Sequence, residues 1–156
     1  MTGSQLNTRF DDDQESPGLL LWQVTNRWQA AQRAVLKPFG LTHVQFVLLA
    51  ALTWLGGDGP VTQKALADHA ATDPMMTSQV LRALESQGLV ERRAHPQDGR
   101  ARALAVTAEG RALANRAVVA VEACDAEFFA PLDDEPAGLA SGFTLALQRL
   151  KKSAIT

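Results

Sequence analysis

Residues 90–107, VERRAHPQDGRARALAVT, decide how the rest of the chain is read. "VERRA" and "RALAVT" are each short enough for a strand, and the polar segment between them holds Pro96 and the pair Asp98-Gly99. Proline presets a turn angle, aspartate bonds back to its own main chain, and glycine accepts the positive φ that many turns demand. The stretch therefore predicts an antiparallel hairpin. Arginine recurs in it at 92, 93, 100 and 102. The whole chain has a formal net charge of −2, yet from Arg82 to Arg102 five arginines stand against three acids, Glu85, Glu91 and Asp98. That segment is locally +2 and the remainder −4. Local charge, not the total, decides which surface attracts a polyanion.

Immediately upstream the sequence predicts two short helices. Thr62 caps "QKALADHA", and Asp73-Pro74 opens "MMTSQVLRALESQ". In the second case a capping side chain is followed by the helical position where proline's missing N–H costs nothing. Gly88 supplies a left-handed stop. At about 100° per residue, Thr77, Val80, Leu81 and Leu84 fall on the inward side of this helix. Met75, Gln79, Arg82 and Ser86, flanked by Ser78, fall on the outward side. That set offers an amide for adenine edges, a guanidinium for guanine or phosphate, and apolar groups for thymine methyls. Two short helices followed by a hairpin is the order of a winged helix-turn-helix, whose second helix enters a DNA major groove. Asp98 and Arg100 are two apart across Gly99, so the carboxylate holds the guanidinium extended at the hairpin tip. An extended arginine there suits the narrow, electronegative minor groove. The predicted DNA contacts are Thr62, Gln63, Thr72, Met75, Ser78, Gln79, Arg82, Asp98, Arg100 and Arg102.

The flanks are helical as well. Residues 1–15 are polar, acidic and without a period, and are expected to be a flexible arm. Ser16-Pro17 starts a helix with Leu21, Val24, Trp28, Ala31 and Val35 at spacings of three and four. It stops near Lys37, because Pro38 disfavours helical geometry in the residue before it. Thr42 caps a helix through Leu55 that is apolar nearly all round and therefore central, and "GGDGP" breaks it. Beyond the hairpin, Thr107 caps a long helix with Leu113, Ala117, Val121, Cys124 and Phe128 on one stripe. "PLDDEPAG" interrupts, and a last helix carries Leu139, Phe143, Leu147 and Leu150. The expected fold is mainly α with a small β-hairpin wing, in the order α-α-α-α-β-β-α-α. A single domain of 156 residues has a winged helix-turn-helix lobe at 41–107 and long terminal helices at 16–38 and 108–153. A lone chain leaves the apolar faces of those terminal helices poorly covered, which predicts a homodimer.

At this point the chain resembles the MarR family, the multiple-antibiotic-resistance type of transcriptional regulator. The stretches that carry the resemblance are "LTHVQFVLLAAL", "VTQKALADHAATDPMMTSQVLRALESQGLVERR" and "DGRARALAVTAEGRAL", over most of residues 41–113. The wing pattern of the family falls here on Asp98, Arg100, Leu104, Val106, Thr107 and Gly110. The resemblance implies a homodimer whose first and last helices interdigitate, bound to double-stranded DNA at an inverted-repeat operator. It also implies repression that is lifted when a phenolic or other small aromatic molecule binds between the dimer helices and the winged lobe. For such an effector, Trp22, Trp28 and Phe46 are the candidate aromatic wall, with Arg27 or His43 to meet an anionic group.

Other classes find less in the sequence. His43, His69 and His95 are scattered, with no metal-ligand spacing, no phosphate-cradling glycine motif and no catalytic dyad, so neither an enzyme nor a cofactor is expected. A single cysteine, Cys124, excludes an internal disulfide framework, and its place on an apolar stripe marks it as a small core residue. No run approaches about 18 consecutive apolar residues, and the expected location is the cytoplasm. A winged domain used only as a protein–protein adaptor remains the alternative. Such an adaptor needs neither the Asp98/Arg100 pair nor the exposed Gln79/Arg82 face.

Overall fold

The computed structural model describes residues 5–97, 99, 102–133 and 137–153. Within them, six α-helices and one hairpin follow in the expected order. Helix α1 spans Pro17–Leu36, and the Ser16 side chain accepts from the Leu19 N–H at its start. A short 3-10 turn, Lys37–Phe39, ends at Gly40 with φ 67. Helix α2, His43–Leu55, opens with a reciprocal cap in which Thr42 and Gln45 each bond the other's backbone N–H. The pair α3 (Gln63–Ala70) and α4 (Pro74–Ser86) follows, capped by Thr62 and Asp73. Strands β1 (Val90–Ala94) and β2 (Arg102–Val106) pair antiparallel, with Arg92 opposite Leu104. Helices α5 (Ala108–Phe129) and α6 (Leu139–Ser153) complete the chain. One expectation is refined in the arm, where Asp13–Glu15 form a 3-10 turn capped by the Asp12 side chain.

The core is built from the inward faces of these elements. Leu36, Leu48, Leu49, Leu52, Leu66, Leu81 and Leu84 are fully enclosed, and Leu104 from β2 joins the same cluster. Val61 adds a one-residue third strand, its carbonyl accepting from the Leu104 N–H at 2.7 Å. The lobe closes at a tight crossing between the end of α4 and the start of α5. Thr107 donates its backbone N–H to the Leu89 carbonyl and its hydroxyl to the Gly88 carbonyl, and accepts from the Gly110 N–H. A Cβ placed on Gly110 would lie 2.0 Å from the Leu89 carbonyl oxygen, so only glycine fits this approach.

The terminal helices are far less enclosed. In α1 the buried residues are Gln32 and Leu36, whereas Leu21 and Val24 from the expected apolar stripe are exposed. On α5, Ala117 and Val121 are buried as expected, with Gly110 and Ala114 completing the inward face. No described residue of α6 is buried; Leu139, Leu145, Leu147 and Leu150 are exposed. Phe143 lies with its ring centroid 5.9 Å from that of Phe129. Among the described residues, no single helix is long and apolar enough to cross a membrane.

Candidate nucleic-acid interface

Helix α4 divides cleanly into two faces. Thr77, Leu81 and Leu84 are wholly buried, while Met75, Gln79, Arg82 and Ser86 are exposed, Met75 by 72%. Asp73 caps the helix by accepting from the Met76 N–H at 2.9 Å, and Pro74 occupies its first position. The Arg82 guanidinium lies along the helix surface, donating to Ser78 Oγ at 3.2 Å one turn back. The outward row is therefore a set of hydrogen-bonding and apolar groups with almost no duty to the fold.

The surroundings sort the other expected contacts. Thr62 caps α3 by accepting from the Ala65 N–H, which leaves its hydroxyl proton free to point outward. Gln63 is partly engaged, because its Oε1 accepts from Arg92 Nη1 at 3.1 Å. Thr72 departs from expectation. The Thr77 hydroxyl donates to the Asp73 carbonyl, so in the 2.7 Å contact between the two threonine hydroxyls Thr72 is the donor. Its backbone N–H donates to the Ala67 carbonyl. Thr72 thus has both protons committed inside the turn between α3 and α4.

The arginines of the hairpin also divide. Arg92 donates through Nε to Glu85 of α4 at 3.0 Å and through Nη1 to Gln63 of α3, clamping both short helices to β1. Arg93 pairs with Glu91 on its own strand. Arg102 is exposed at the start of β2 with no partner among the described residues. Residues paired across antiparallel strands share a face and alternate along each strand, so Arg102 stands on the Arg92 side of the sheet, toward α4. Asp98 and Arg100 lie outside the described residues. The arginine excess of residues 82–102 thus serves two purposes: Arg92 holds the lobe together, while Arg82 and Arg102 face outward.

The expected effector residues do not form one wall. Trp28 and His43 meet edge to face, with ring centroids 5.0 Å apart. Phe46 is buried in the core, and Trp22 (70% exposed) and Arg27 lie on the outer side of α1, away from Trp28. Beside the Trp28–His43 pair is a polar group absent from the expected set. Asp125 Oδ1 on α5 accepts from Trp28 Nε1 at 2.8 Å and from Gln32 Nε2 at 2.6 Å, tying α1 to α5. A carboxylate only accepts, so the amide NH2 of Gln32 must face it, and the buried Gln32 Oε1 is left without a partner. The signal was in the sequence: Gln32 is four residues from both Trp28 and Leu36, and Asp125 four from Val121. Each is a polar side chain on a buried stripe, and two such residues on facing helices belong together. Burial holds the His43 pKa below its ordinary value, the nearby Arg33 charge adds to this, and Asp125 opposes it. The Cys124 thiol is pushed up, by burial first and then by Asp125 and Glu127. This disfavours the reactive thiolate.

The arrangement defines a class: a winged helix-turn-helix lobe with an outward recognition helix, carried on long helices at both ends of the chain. The MarR family model matches residues 41–101, and a curated relative, the HTH-type transcriptional regulator YdcH of Bacillus subtilis, is 43% identical over 125 residues. That alignment covers 80% of this chain and 85% of the relative. The chain belongs to the MarR family of transcriptional regulators. The repressor Rv2887 of Mycobacterium tuberculosis is 40% identical over 115 residues, covering 74% of this chain and 81% of that protein. Solved structures of Rv2887 superpose in complex with salicylic acid (TM-score 0.66, 36% identity, 90% of this chain and 98% of that one) and with DNA (0.64, 34%, 86% and 97%). A MarR-family regulator from Rhodococcus sp. RHA1 superposes with a TM-score of 0.79 at 25% identity, over 91% of this chain and 98% of that one.

Proposed function

We propose that this chain is a ligand-responsive repressor that binds an inverted-repeat operator as a homodimer and acts in the cytoplasm. The observation that carries the DNA reading is the outward row of α4, where Met75, Gln79 and Arg82 are exposed and chemically matched to base edges. Thr62, Gln63 and Ser78 flank it as backbone contacts, and Arg102 with Arg100 of the wing meets the minor groove. Rv2887, similar to this chain, has been solved with DNA, which favours the same use of this lobe over an adaptor role. The dimer reading rests on α1 and α6, where Leu21, Trp22, Val24, Leu145, Leu147 and Leu150 are exposed. Residues 16–38 and 108–153 would supply that interface and residues 41–107 the DNA-binding lobe. Two lobes related by a two-fold axis read half-sites about one helical turn apart.

The effector reading places a small aromatic molecule where α1, α2 and α5 meet, against Trp28 and His43 and beside Asp125 and Gln32. The salicylic acid complex of Rv2887 supports a ligand-responsive mechanism of this kind. Linkage requires that an effector which weakens DNA binding be itself weakened by DNA to the same degree.

The test is selection of bound sequences from random duplex DNA, followed by titrations of the selected and random DNA at several salt concentrations. Gln79→Ala and Arg82→Ala are expected to cost about 1–3 kcal/mol at particular base pairs and to relax specificity there. Arg100→Ala is expected to weaken binding to all sequences and to flatten the salt dependence by about one phosphate per half-site. Recovery of no preferred sequence, or of a tight site without dyad symmetry, would overturn the proposal.

A further inference from the structure

A cavity of about 490 Å³ opens at the root of the hairpin, between the end of α2, β2 and the first turn of α5. Val90, Arg92, Leu104 and Val106 share one face of the sheet, and Arg92 reaches α3 and α4 from it. Glu91, Arg93, Ala103 and Ala105 share the other. Arg93, Ala103 and Ala105 of this face line the cavity together with Ala94, Leu104 and Val106 of the first, and no residue of α3 or α4, nor Trp28, His43 or Asp125, is in its wall.

Its walls are made of residues with little reach. Gly56, Gly57, Gly59 and Pro60 line it together with the two alanines. A Cβ on Gly56 or Gly57 would meet nothing within 4 Å, so close packing does not require glycine at either position. Their effect is to leave the wall low and the space open. At the rim stand two guanidinium groups. Arg93 is exposed and shares its charge with Glu91; Arg111, in the first turn of α5, is exposed with no partner among the described residues. Two arginines against one carboxylate give the rim a net positive charge, and arginine's planar fork suits a bidentate carboxylate. The volume lies within the range of small-molecule sites, roughly 300–1,000 Å³.

We propose that this cavity is a second ligand site, taking a small organic carboxylate. Arg111 and Arg93 hold the anionic group, and Ala103, Ala105 and Pro60 receive a compact apolar body. Because Arg93 belongs to the wing and Arg111 to α5, the occupant joins the hairpin to the long helix. A concave site with no residue of α3 or α4 in its wall fits a small anion better than the convex backbone of a DNA duplex.

The test is chemical-shift mapping on the full-length ¹⁵N-labelled protein, titrated at constant ionic strength with benzoate and with its neutral counterpart benzamide. Benzoate is expected to produce saturable shifts at the amides of Gly57, Gly59, Ala103 and Ala105. Benzamide, and benzoate with Arg111→Ala, should bind on the order of tenfold more weakly. Arg93→Ala serves as an independent second variant. In both variants the amides of Trp28 and His43 should respond as in the unaltered chain. Shifts confined to Trp28 and His43 would leave the junction of α1, α2 and α5 as the only site and overturn the proposal. So would unchanged benzoate affinity in Arg111→Ala together with a flattened salt dependence of DNA binding, which would make Arg111 a phosphate contact.

Discussion

In the winged lobe, Leu48, Leu49, Leu52, Leu66, Leu81 and Leu84 are completely enclosed by their own chain, whereas in α6 no described side chain is buried and Leu150 is 57% exposed. Both regions are amphipathic helices by sequence, with apolar residues at spacings of three and four. The lobe differs in having tight connections, capped helix starts and a hairpin that turn its apolar faces on one another. The terminal helices project their faces beyond the reach of their own chain. The lobe is thus enclosed by its own chain, and the exposed faces of the terminal helices are the proposed half of an interface.

The largest expected effect tests that division. Leu147→Glu with Leu150→Glu places charge on the open face of α6. At about 1.5–3 kcal/mol per buried leucine, counted in both copies, the loss is on the order of 6 kcal/mol or more. Sedimentation should show monomer at concentrations where the unaltered protein is dimeric, while the hairpin and α4 amides keep their positions in NMR spectra. An unchanged dimer would place the interface elsewhere.

Gly110→Ala probes the lobe in the complementary way. Its Cβ has no room beside the Leu89 carbonyl, and the expected loss is about 3 kcal/mol or more in urea unfolding. Gly142→Ala in α6, where a Cβ meets nothing within 4 Å of its own chain, is the matched control. It should raise stability slightly, by up to about 1 kcal/mol. If both glycines tolerate alanine equally, the contrast between the regions fails.

Arg92→Ala should cost about 1–2 kcal/mol, since it removes two half-buried hydrogen bonds that join α3 and α4 to the hairpin. DNA affinity should fall through loosened geometry, with the salt slope unchanged. A reduced slope would instead make Arg92 a phosphate contact.

The smallest effect is one of pH. His43 titrates below its ordinary value of 6.5 in the folded chain, so the unfolded chain takes up the proton first as pH falls. Stability from the neutral imidazole is fully present above that ordinary value. It is lost as pH drops from 6.5 toward the lower folded value. His43→Gln should flatten this part of the Tm–pH curve, and an unaltered slope would show that other groups carry it.

The fold was largely legible because its signals are local. Ser16-Pro17, Asp73-Pro74, Thr107 and Gly88 mark element ends through side chains that act within a few residues. The outward row of α4 followed from helical periodicity alone. What was less legible depends on contacts between distant residues. Arg92 looked like its neighbours in a basic stretch until Glu85 and Gln63 were seen beside it. Thr72 was expected among the DNA contacts, yet its hydroxyl bonds to that of Thr77. The aromatic residues near the first helix looked equivalent, but helical phase sends Trp22 outward and Trp28 onto Asp125.

The separation of faces on α4 also bears on how such a protein can diverge. Met75, Gln79 and Arg82 are exposed, and Arg82 bonds only to Ser78 among the described residues, while Thr77, Leu81 and Leu84 are sealed into the core. In the proposed mode of binding, replacing the outward three changes which bases are read, and their exposure leaves the packing intact. Changes at the Thr107–Gly110 crossing disturb the junction between the end of α4 and the start of α5. After gene duplication, a copy of this chain can therefore acquire a new operator through a few point substitutions without passing through an unfolded intermediate sequence.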